Sequence, residues 1–102
     1  MARTGFWFQW ARGRAMVRNR SMQRARYWTD IVTRRAADHG RDMLRREARK
    51  HRLDGHFYLW MADEVILATC QRRAQECVRR AREANRDWRR YRARAREMGE
   101  IE

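Results

Sequence analysis

The chain has 102 residues, 26 lysines and arginines against 13 aspartates and glutamates, and a net charge of +13. Four Leu, three Ile, four Val and three Phe are a thin apolar set for so charged a chain. This argues against a self-sufficient globular enzyme and for a single domain whose partners supply missing core and counter-charge. Every basic residue but Lys50 is arginine. A GC-rich genome would favour arginine codons, but the planar guanidinium also pairs bidentately with phosphate or carboxylate and stacks on rings, as fixed interfaces require. The net charge predicts an acidic partner surface, whether nucleic acid, anionic lipid or acidic protein.

Residues 1–20 form a basic, aromatic amino-terminal segment; the first carboxylate of the chain is Asp30. Phe6, Trp7, Phe8 and Trp10 are the expected membrane or partner contact. They are followed by Ala11, Ala15, Met16 and Val17 between arginines at helical period. An arginine-rich, acid-free amphipathic start has the composition of a mitochondrial targeting segment. Aromatics beside cations also suit a membrane interface, RNA phosphates and bases, or packing on a neighbouring subunit. Gly13 and Asn19 leave the continuity of this helix open.

A second helix is expected over 21–38, with Met22, Ala25, Trp28, Ile31, Val32 and Ala36 on one side and Gly40 as its stop. A short helix over 42–53 follows, capped by Asp42 and stopped by Gly55.

The longest element is expected over 57–98, where nothing breaks a helix. Within it Leu67, Cys70, Ala74, Cys77, Ala81, Ala84, Trp88, Tyr91, Ala95 and Met98 recur at alternating steps of three and four, a packing seam for another helix. At 1.5 Å per residue this helix would be roughly 60 Å long, so it outruns any compact globule of this size. The fold class read from these elements is all-α: an elongated antiparallel helical hairpin with one long C-terminal helix and a short helix at the bend.

On the long helix Arg72, Arg73, Arg79, Arg80, Arg86, Arg89 and Arg90 are the expected contacts to an acidic partner. Glu76 with Arg80 and Arg79 with Glu83 are spaced for local pairing. Cys70 and Cys77 stand two turns apart, too far to bridge, and form no metal-ligand spacing. His39, His51 and His56 fall near the bend with Asp38, Asp42 and Asp54 but match no ligand motif, and Asp63 and Glu64 are expected to meet an arginine. No nucleophile motif, glycine-rich phosphate loop or base-reading motif occurs, so no catalytic residue, cofactor or metal is expected. The apolar run from Phe57 to Cys70 is too short for a membrane span and contains two acids.

The function expected from this pattern is that of a non-catalytic structural accessory subunit. Its assembly would be a large mitochondrial membrane-bound complex of the respiratory-chain or ATP synthase kind, with the chain peripheral on the matrix side of the inner membrane. Its partners would be other protein subunits, with anionic lipid headgroups as further contacts. The alternative is a ribosomal or other ribonucleoprotein component neutralising RNA phosphates; an arginine-rich phage or capsid component is a third reading.

Overall fold

The computed structural model describes residues 5–101. Among them every regular element is helical: α1 (Phe6–Thr33), α2 (Ala37–Lys50), a 3-10 turn (His56–Leu59) and α3 (Asp63–Glu97), with α3 packed against α1. The contacts divide the chain into two compact units. One contains the residues up to Gln23 and those from Cys77 onward; the other runs from Arg24 to Glu76.

In the first unit α1 is unbroken at Gly13 and Asn19. Trp7, Ala11, Arg14, Arg18 and Ser21 recur at steps of four and three. Ala11 and Ser21 are buried and the other three partly so. Two arginines thus occupy the packing face where Met16 and Val17 were expected, and those two are exposed. The reason lies opposite, where Ala81, Ala84 and Ala95 are small and buried and leave room for long stems. The Arg14 guanidinium pairs with Asp87 at 3.2 Å, and Arg18 donates to Asn85 Oδ1 at 3.0 Å while lying 4.8 Å from the Trp88 ring. Trp88 and Tyr91 are partly buried.

Met98, expected as the last seam residue, is 59% exposed, because the helix has already ended. Gly99 adopts φ +71°, its N–H reaches the Arg96 carbonyl and that of Glu100 reaches Ala95, so the chain turns away before Met98 can complete the stripe. The turn sends Glu100 to the start of α1, whose first turn has no acid of its own. The Trp7 N–H donates to Glu100 Oε1 at 3.1 Å, placing a negative charge at the positive end of α1. A side chain at Gly5 would displace that carboxylate.

In the second unit the core is Ala25, Trp28, Ile31, Leu44, Ala48, Ile66, Cys70 and Ala74. Ile66 is fully buried and Leu67 only partly, so the seam enters this unit one residue earlier than expected. Gly40 is not a stop: it lies inside α2, where a Cβ would come within 3.0 Å of Cys70 Sγ, 3.1 Å of Ile66 Cγ2 and 3.2 Å of Ile31 Cγ2. A side chain is missing there so that α2 can approach both neighbours closely.

The helix ends are made by arginines instead. Arg35 at φ 51° closes α1, with Ala36 N–H on the Ile31 carbonyl, and Arg52 at φ 57° closes α2, with Leu53 N–H on Ala48. Asp42, the expected cap, is within α2 and pairs with Arg46 at 3.2 Å.

Residues 57–62 do not join α3, because Arg41 holds their backbone. Its Nε donates to the Tyr58 carbonyl at 2.8 Å, and one Nη donates to the Met61 carbonyl at 3.2 Å and to Asp63 at 3.0 Å. Asp63 and Glu64 then occupy the first turn of α3, where the helix dipole favours acids.

Cys70 is fully buried, and no disulfide joins it to Cys77, which is also buried. Desolvation pushes the Cys70 thiol above its ordinary range, against the opposing effects of its backbone hydrogen bond and Arg73. The fold thus favours the neutral thiol. This stabilisation is fully present below the ordinary thiol pKa and is lost as pH rises through the raised value. The denaturation midpoint is expected to fall above about pH 8.5, and to fall less in Cys70→Ala. Native Cys70 should also resist iodoacetamide at neutral pH, until the chain is unfolded.

Candidate interaction surfaces

From Arg79 to Arg96, α3 carries Arg79, Arg80, Arg82, Arg86, Arg89, Arg90, Arg92 and Arg96 exposed, and among the described residues none has an ion-pair partner, although Arg92 lies 5.2 Å from the Trp88 ring. Arg79, Arg82, Arg86 and Arg89 follow steps of three, four and three, so they form one stripe over nearly three turns, at about 3.6 residues per turn. The pairs Glu76–Arg80 and Arg79–Glu83 do not form. Their spacing permits them, but exposed side chains gain little from pairing against the entropy of being held.

Of the seven arginines expected to meet a partner, Arg73 is committed inward, 3.2 Å from the mostly buried Glu47. Arg72 is exposed and donates to Thr69 Oγ1 at 3.4 Å, while Arg79, Arg80, Arg86, Arg89 and Arg90 face solvent. Arg82, Arg92 and Arg96 lie outside the expected set, although the helical phase of Arg82 points to it.

Beside the stripe, within the same unit, lies an open groove of about 580 Å³. Met22, Val78 and Ala81 line it on the apolar side, and Arg18, Arg82, Arg86 and Asn85 on the polar side. Met22 and Val78 retain exposed surface there.

The amino-terminal aromatics have partners in their own unit. Trp7 and Trp10 lie with ring centroids 5.9 and 5.4 Å from Tyr91, and Phe6 is 4.8 Å from Trp10. Trp7 and Phe8 are partly buried, whereas Phe6 and Trp10 remain more than half or about half exposed. The cluster closes the end of the α1–α3 packing and leaves two rings available.

In the second unit His39 Nε2 is 3.0 Å from the Tyr27 hydroxyl, and the His56 backbone N–H is capped by Asp54 at 2.9 Å. Among the described residues no group of three or more His, Cys, Asp or Glu side chains could hold a metal ion, and no helix is long and apolar enough to cross a membrane. No protein-family model matches the chain, and comparison with curated proteins and with solved structures gives no significant match.

Proposed function

We propose that the chain is a non-catalytic structural subunit of a large assembly, seated by the α3 arginines on an acidic protein surface. The groove beside Arg82 and Arg86 carries this reading. A phosphodiester backbone would satisfy the arginines, but it has no aliphatic group to place on Met22, Val78 and Ala81, and no aromatic ring lines the groove for a base to stack on. An amphipathic acidic segment supplies both carboxylates and an apolar anchor. The acid-free, arginine-rich amino terminus supports a mitochondrial location, on the matrix side of an inner-membrane complex of the respiratory-chain or ATP synthase kind.

The second reading, a ribonucleoprotein component, is favoured by one observation: eight exposed arginines between Arg79 and Arg96 have no carboxylate partner among the described residues. Co-purification of the tagged chain followed by mass spectrometry separates the two. Recovery of protein subunits of one membrane complex, unchanged by nuclease, is expected. Recovery of ribosomal RNA, with a log-log salt dependence of about −0.7 per neutralised phosphate, would favour the second reading.

A further inference from the structure

The segment between α2 and α3 turns its apolar side chains outward. Leu53 is 63% exposed, Phe57 60%, Leu59 47% and Trp60 88%. Its backbone is fixed from beneath. Arg41, only 19% exposed, holds the Tyr58 and Met61 carbonyls, and Gly55 lies flat against the stem of Arg45. The side chains are therefore displayed by an anchored loop.

Cations lead into the loop from α2, and the exposed Asp63 and Glu64 follow it at the start of α3. Arg49, Lys50 and Arg52 are exposed and have no carboxylate partner among the described residues, and His51 and His56 adjoin them. The one acid between Glu47 and Asp63 is Asp54, whose carboxylate accepts the His56 N–H.

We infer that this segment is a membrane-interface contact. Trp60, Phe57 and Leu59 enter the boundary between headgroups and acyl chains of an anionic bilayer, while Arg49, Lys50 and Arg52 meet the lipid phosphates. A protein partner would need a pocket matched to a tip whose outermost ring has almost no neighbour. A fluid interface needs no matched pocket, and it combines the apolar layer and the negative charge that this segment lacks. The inference deepens the proposed function, resting on it for the presence of a membrane near the chain.

Co-sedimentation of the full chain with phosphatidylcholine vesicles, with and without phosphatidylglycerol, tests it. Binding is expected with phosphatidylglycerol, weakening with salt as anionic headgroups are screened. The double variant Trp60→Ser, Phe57→Ser is expected to bind about tenfold less at unchanged helicity, since each exposed ring lost removes interfacial burial. Arg49→Gln, Lys50→Gln, Arg52→Asn should lose a similar factor and part of the salt dependence, the α3 arginines keeping the rest; asparagine at 52 tolerates the left-handed backbone. Met16→Ser, Val17→Ser, which removes exposed apolar side chains of α1 instead, should bind as the parent does.

Failure of the parent chain to bind, equal binding by both loop variants, or loss confined to the α1 variant would overturn the inference. Each would leave co-purification with the assembly, and so the proposed function, standing. Loop variants that lose co-purification yet bind vesicles normally would assign the segment to a protein instead.

Discussion

Gly40→Val is expected to destabilise the fold by about 2–3 kcal/mol, whereas Gly13→Ala is expected to stabilise it by up to about 1 kcal/mol. Both glycines lie inside helices, so intrinsic propensity favours replacing either. Packing reverses the sign at Gly40, because Cys70 and Ile66 are fully buried and cannot retreat from a Cβ 3.0–3.1 Å away. At Gly13 a Cβ would meet nothing within 4 Å. For a chain of this size the first change should lower the thermal midpoint by roughly 10–20 °C and the second raise it by a few degrees, measured on the chain in its purified state. A Gly40→Val protein with an unshifted midpoint would mean that α2 does not pack as described.

Arg41→Met is the second large effect, at about 2 kcal/mol. The substitution leaves the Tyr58 and Met61 carbonyls and the Asp63 carboxylate without their shared cationic donor. The loss should be local. Amide exchange should accelerate over 54–63 and change little in the rest of α3, as expected where a segment opens independently of the remaining fold. Arg41→Lys should rescue poorly, since one ammonium cannot span two carbonyls and a carboxylate in the geometry of the guanidinium. Unchanged exchange in Arg41→Met would remove Arg41 as the anchor of the loop.

The helical class and most of the α3 seam were legible because apolar and small residues recur there with a helical period and no proline interrupts them. Cys70, Ala74, Cys77, Ala81, Ala84 and Ala95 are buried. The α1 face was not legible, since two of its positions are Arg14 and Arg18, which read as solvent-facing until the alanines opposite are known to leave space for them. The helix ends were misplaced for a related reason. Glycine is the usual stop signal and Gly99 serves as one, yet Arg35 and Arg52 adopt the left-handed backbone and Gly40 serves a close approach. The start of α3 depends on Arg41, distant in sequence, and no local pattern encodes that contact. Among the surface residues, the stripe of Arg79, Arg86 and Arg89 was visible from charge alone. The inward commitment of Arg73 depends on Glu47, on another helix.

The central claim is that the exposed arginines of α3 seat the chain on an acidic protein partner. Charge reversal at Arg82→Glu, Arg86→Glu and Arg89→Glu tests it most directly, because these side chains are exposed, make no ion pair among the described residues and can change without disturbing the core. The full-length variant, matched to the parent in helicity, is expected to lose its protein partners on co-purification, and to recover them in part at raised salt as the new repulsion is screened. Recovery of the same partners in the same amounts by the reversed chain would contradict the claim.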